Sequence, residues 1–95
     1  MKIFIANINQ LPKICGIYKV IDSQGMVIYV GQSKNIYKRW NDGHQVLPKI
    51  LKYYQEISEI YIECVEIPEF LLNRAENLAI KFYQPWLNQK LPPSF

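Results

Sequence analysis

The sequence predicts an α+β fold: a small, mainly antiparallel three-stranded sheet, in the order β-β-α-α-β-α, flanked by helices. Three observations predict it. Two apolar, strand-like runs bracket Ser23-Gln24-Gly25, an alternating stretch runs from Glu59 to Ile67, and the longest helical pattern closes ahead of Pro85. Ninety-five residues, 49% of them hydrophobic, suit one domain over 1–95 with a single core.

Residues 2 to 8 are apolar enough for a short edge strand or a packed arm, which Leu11-Pro12 ends. Cys15 to Asp22 reads as a strand, Ser23-Gln24-Gly25 as a turn and Met26 to Gly31 as the returning strand. Loop length sets the register of this pair. A two- or four-residue loop would place Tyr18 directly opposite Tyr29, whereas a three-residue loop with a Gly25 bulge would send them to opposite faces. Ser33 or Asn35 caps a helix through Ile36, Tyr37 and Trp40 that stops near Gly43. Pro48 suits the first position of another short helix carrying Ile50, Leu51 and Tyr54. From Glu59 onward Ile60, Ile62 and Cys64 fall on one side and Glu59, Tyr61 and Glu63 on the other, the pattern of a half-exposed strand. Pro68-Glu69 opens the longest helix, and the residue before Pro85 resists helical geometry and ends it.

Composition narrows the function. No apolar run is long enough to span a membrane, and Asn7, Asn9 and Gln10 interrupt the N-terminal run too early for a signal peptide, so a cytoplasmic protein is expected. Cys15 and Cys64 have neither metal-ligand spacing nor a disulfide framework, and buried thiols in a reducing compartment are the simple expectation. The net charge of +3 is modest but uneven. Lys34, Lys38, Arg39, Lys49 and Lys52 face only Asp42 in their stretch, while Glu56, Glu59, Glu63, Glu66 and Glu69 gather later. Charge alone fits an ordinary solvated face. Tyr37, Trp40, Tyr53 and Tyr54 interleaved with those cations favour a nucleic-acid surface, because aromatics stack on bases.

Two strings stand out: Gly16-Ile17-Tyr18 and Tyr29-Val30-Gly31, one on each predicted hairpin strand. A phenol beside open backbone suits a place where a bulky ligand approaches the sheet closely. Downstream follow Lys38-Arg39-Trp40, His44, Glu76 in the last helix and Pro85-Trp86-Leu87-Asn88. Glu76 borders the apolar stripe Leu71, Leu72, Ala75, Leu78, Ala79 and Phe82. A carboxylate there needs a partner, either a salt bridge to Arg74 or Lys81 or a metal ion. From Cys15 to Asn88 this ordered set resembles the GIY-YIG nuclease domain, the catalytic module of certain homing endonucleases, some restriction enzymes and the incision subunit of bacterial nucleotide-excision repair.

The resemblance implies a metal-dependent DNA endonuclease that hydrolyses phosphodiester bonds, one cut per site. It makes Glu76 the ligand of a single Mg²⁺ (or Mn²⁺), an ion that keeps most of its waters and takes substrate phosphate oxygens. It makes Tyr18 the first choice for the general base, with Tyr29 positioning water or sharing that role. A phenol titrates near 10, so it needs cationic neighbours to serve as a base at neutral pH, and Lys34 and Lys38 are the candidates. Arg39 matches the family's arginine, whose planar guanidinium takes two phosphate oxygens. Asn88 matches a late asparagine that holds the site by hydrogen bonds. Two positions depart from the pattern. Gly43 stands where the family has His or Tyr, so His44 reaches the site only if the helix ends at Gly43 and the chain turns; otherwise it is a solvent-exposed helix end. Gln32 follows Gly31 directly, near where the family has a lysine.

Lys34, Lys38, Lys49 and Lys52 are the candidate DNA-binding cations. Most relatives join the module to a separate DNA-binding part, so a homodimer or a targeting partner is expected to assist this one. The alternatives on the same fold are a non-catalytic nucleic-acid-binding module and a small protein-interaction domain.

Overall fold

The computed structural model describes residues 1–88; the remainder of the domain expected over 1–95 lies outside the described residues. The strands are β1 (Lys2–Phe4), β2 (Gly16–Ile21), β3 (Val27–Ser33) and β4 (Tyr61–Glu66), and the helices are α1 (Ile36–Asn41), α2 (Val46–Tyr53) and α3 (Leu72–Tyr83). All neighbours pair antiparallel in the order β1-β4-β2-β3. The β-β-α-α-β-α core is present, and the N-terminal run adds a fourth strand at one edge before a 3₁₀ segment over Ile5–Gln10. Among the described residues no helix is long and apolar enough to cross a membrane.

Side-chain alternation divides the sheet into two faces. Tyr18, Val20, Ile62 and Cys64 point to the side covered by α1, α2 and the 3₁₀ segment, where Ile5, Leu11, Ile36, Trp40, Val46, Ile50 and Ile60 complete the core. Lys19 and Gln32 point to the other side, where they meet Tyr83, Asn73 and Glu76 of α3. Helix α3 packs mainly over β3 and β2, so the stripe read from the sequence divides. Leu72 is buried at 4% exposure and faces the sheet, while Leu78 (60%) and Phe82 (79%) face solvent. Glu76 sits on the half-buried flank of the sheet-facing side.

The hairpin has the three-residue loop that the sequence offered and a further bulge that it did not. The loop Ser23–Gly25 has three residues: the Asp22 amide donates to the Met26 carbonyl (3.0 Å), and Gly25 takes φ +81°. That loop alone would set Tyr18 and Tyr29 on opposite faces. Ile28 is an extra, bulged residue on β3, so Ile21 pairs with Val27 but Val20 pairs with Tyr29. The bulge restores the parity. Tyr18 is therefore opposite Gly31, not Tyr29, and the two phenols are diagonal neighbours on one face.

Local chemistry sets the helix ends. Asn35 Oδ1 accepts the Lys38 amide at 3.0 Å and caps α1, with Ser33 Oγ supporting the cap through the Asn35 amide. Helix α2 begins at Val46, two residues before Pro48, because the His44 imidazole accepts the Val46 amide and satisfies the first turn. The segment Glu69–Leu71 is 3₁₀, α3 proper follows, and Gln84 ends it in the left-handed region (φ 46°) just before Pro85.

Candidate active site

The site gathers along the outer strand β3. The Tyr18 and Tyr29 rings lie 6.4 Å apart, and both meet the imidazole of His44 edge-on at 5.5 Å. Trp40 packs on Tyr18 at 5.5 Å and on His44 at 4.5 Å, so the cluster is walled by α1. The glycines serve this packing. A Cβ on Gly31 would lie 2.5 Å from Cζ and Oη of Tyr18, whose ring crosses that position. A Cβ on Gly16 would run into the Val65 carbonyl oxygen. The open backbone beside each phenol is thus filled by the protein itself, not kept for a ligand as the sequence suggested.

His44 is buried at 3% exposure, with Nε2 2.6 Å from Tyr18 Oη. It arrives there because α1 stops at Asn41 and Gly43 adopts φ +95°, turning the chain back toward the sheet. The solvent-exposed helix end is not what forms. Nδ1 accepts the Val46 amide at 3.0 Å, so the neutral ring carries its proton on Nε2 and donates it to Tyr18. Burial, with Arg39 nearby, pushes the His44 pKa down to about 4, so the ring is neutral at physiological pH.

Burial is also the largest influence on both phenols and raises each above its ordinary value. Arg39 pulls both down and Glu76 pushes both up, each through its charge. The cationic neighbours expected to bring Tyr18 near neutrality do not do so. Lys34 and Lys38 are not among the influences on its pKa, and Arg39 does not offset burial. Arg39 is exposed and lines an open groove of about 360 Å³ with Ser33, Lys34, Asn35, Lys38 and Gly43. Lys34 also pairs with Glu69 across 3.5 Å of exposed surface. Lys49 and Lys52 lie outside this groove, on α2, and the Lys52 ammonium sits 5.4 Å over the Tyr53 ring.

Glu76 meets β3 through Gln32, whose Nε2 donates to Glu76 Oε1 at 3.1 Å and to Asn73 Oδ1 at 2.6 Å. Neither Arg74 nor Lys81 forms an ion pair with it among the described residues. Gln32 is its one protein hydrogen-bond partner among the described residues, and the half-buried carboxylate keeps oxygen lone pairs open to a hard divalent ion. No group of three or more His, Cys, Asp or Glu side chains that could hold a metal ion occurs among the described residues. Asn88 clamps the middle of β3: Oδ1 accepts the Val30 amide and Nδ2 donates to the Val30 carbonyl, both at 2.7 Å. Gln32, where the sequence departs from the family pattern, is thus the residue that reaches Glu76. Its only signal in the sequence was the parity that puts it on the α3 face.

The sequence and the fold are similar to those of known proteins. The GIY-YIG catalytic domain model matches residues 14–89. UvrABC system protein C of Dictyoglomus thermophilum is 36% identical over 88 residues, 88% of this chain and 14% of that protein. Its counterpart in Chlamydia muridarum is 34% identical over 91 residues, again 88% and 14%. The chain thus spans about one seventh of the length of these relatives. Among solved structures, the GIY-YIG N-terminal endonuclease domain of UvrC from Thermotoga maritima, bound to magnesium as its catalytic divalent cation, superposes with a TM-score of 0.69. It is 25% identical and covers 88% of this chain and 93% of that one.

Proposed function

The chain belongs to the GIY-YIG catalytic domain family, a family of metal-dependent nucleases, and we propose that it hydrolyses DNA phosphodiester bonds, one cut per site. The observation that carries the proposal is the meeting of Tyr18, Tyr29, His44 and Arg39 with Glu76 along one strand edge. A carboxylate with no ion-pair partner among the described residues, tied through Gln32 to the strand paired with that of the histidine-bonded phenol, supports cleavage over a non-catalytic binding module.

Glu76, held by Gln32, would bind a single Mg²⁺, which supplies charge stabilisation at the scissile phosphate and the leaving 3′ oxygen. Arg39 offers two guanidinium N–H groups to phosphate oxygens from the groove side. Tyr18 receives the proton of the attacking water. His44 already donates to its oxygen, so the hydroxyl hydrogen of Tyr18 points away from His44 and passes to a non-bridging oxygen of the scissile phosphate as the water's proton arrives. The same Nε2–H steadies any phenolate character that develops. Tyr29, half-buried beside it, orients the water. Asn88 holds Val30, and with it the flanking Tyr29 and Gly31, in place. Lys34 and Lys38 contact flanking phosphates, and a second copy or a targeting partner would add grip on DNA. Such work belongs in the cytoplasm, where the free Cys15 and Cys64 stay reduced.

Incubating supercoiled plasmid with the protein in Mg²⁺, Mn²⁺ or chelator tests this. Wild type should nick with metal and not with chelator, and Glu76→Gln should still bind DNA but cut nothing. Full Mg²⁺-dependent nicking by Glu76→Gln would remove the assignment.

A further inference from the structure

Beside the cleavage machinery stands an aromatic cluster with no part in it. Trp86 is 41% exposed and Tyr53 55% exposed. The Trp86 indole N–H donates to Tyr54 Oη at 2.9 Å, and the Tyr53 ring meets the indole edge-on at 5.2 Å and 78°. The indole is thus held in one orientation while much of its surface remains in water. The cluster is tied to the site through the backbone. Trp86 shares its short 3₁₀ turn with Asn88, which clamps Val30 between Tyr29 and Gly31. Its other wall is the C-terminal end of α2, the helix whose first amide is held by His44. That helix carries Lys49 and Lys52 and no acid.

We propose that Tyr53 and Trp86 form a stacking platform for an unpaired nucleobase, so that the preferred substrate carries unstacked bases beside the cut. The proposal rests on the nuclease reading and deepens it. Paired duplex keeps its ring faces inside the stack and offers only base edges and phosphates, so exposed aromatic surface next to a phosphodiester site is useful to a base that has left the stack. The held Trp86 indole offers the ring face, and Tyr53, with the Lys52 ammonium 5.4 Å over its ring, walls it edge-on beside a cation for the backbone; single strands bind this combination, and it is tolerant of sequence. An aliphatic patch without cations would instead have pointed to a protein partner.

The test is binding in chelator, where no cleavage occurs, read by fluorescence anisotropy. The probes are a labelled duplex with a central unpaired stretch and its fully paired counterpart. Wild type should prefer the unpaired probe by roughly tenfold, and Tyr53→Leu and Trp86→Leu should each remove most of that preference. A second readout needs no variant. Trp40 is 1% exposed and Trp86 41%, so quenching of tryptophan emission by oligo-dT, and not by paired duplex, reports stacking on Trp86. Equal affinity for the two probes with unquenched emission would overturn the platform and give the patch to a protein partner. Preference retained in both variants would overturn it too. Metal-dependent nicking of plasmid by wild type is scored separately: nicking without the preference sinks only the platform, and preference without nicking sinks only the nuclease.

Discussion

His44 Nε2 and Tyr18 Oη meet at 2.6 Å, and the far side of the imidazole sets the direction of that hydrogen bond. Because Nδ1 accepts the Val46 amide, His44 is the donor and Tyr18 the acceptor. The histidine therefore caps α2, fills the core beside Trp40 and steadies the phenol oxygen at once.

Removing that oxygen should cost stability as well as activity. Tyr18→Phe leaves the buried His44 N–H without a partner, a loss of roughly 1–3 kcal/mol. Tyr29→Phe has no such bond to lose among the described residues and should be near neutral for folding. Urea unfolding and single-turnover cleavage would be measured side by side. Tyr18→Phe should be both destabilised and inactive, and Tyr29→Phe folded but impaired. Tyr18→Phe as stable as wild type would contradict the bond.

The pH dependence of stability follows from His44. Its folded pKa is near 4, below the unfolded value of about 6.5. Between these values the unfolded chain binds a proton that the native one refuses, so stability falls as pH drops from about 6.5 to 4 and is unaffected above 6.5. The full loss is roughly 3 kcal/mol. Subtracting the unfolding curve of His44→Gln, which has nothing to titrate there, isolates this contribution. A flat difference from pH 7 to 4 would show that His44 titrates normally.

Gly31→Ala should damage the site although it replaces no reactive group. The new methyl would lie 2.5 Å from the Tyr18 ring, which must swing away from His44. Overpacking of this kind costs about 1–3 kcal/mol. Thermal unfolding and cleavage should both suffer, and an unchanged melting temperature would mean the ring had room to spare.

Asn88→Asp separates the two halves of the clamp on Val30. The carboxylate still accepts the amide but faces the carbonyl oxygen at 2.7 Å in place of a donor. A loss of roughly 1–3 kcal/mol is expected at neutral pH. Protonating the new aspartate restores a donor, so relative to wild type the variant should recover on acidification. Equal stability at pH 7 would leave the clamp without energetic weight.

Much of this protein is legible in short stretches of sequence. The element order, the Asn35 cap, the left-handed Gly25 and the helix end before Pro85 each depend on residues a few positions apart. Tyr18, Tyr29, Arg39, Glu76 and Asn88 were likewise visible as an ordered set. What those patterns could not decide was which groups touch. Whether the tyrosines share a face turned on one bulged residue, Ile28, because a single-residue slip inverts every side chain beyond it. Whether His44 entered the core turned on Gly43 reversing the chain, and Gln32 found Glu76 only when α3 settled on β3. The open backbone at Gly31 looked like room for a ligand until the opposite strand laid the Tyr18 ring across it. Local patterns record propensity over a few residues. Partners separated by 26, 44 and 58 positions are chosen by the closing of the sheet and the packing of helices on its two faces.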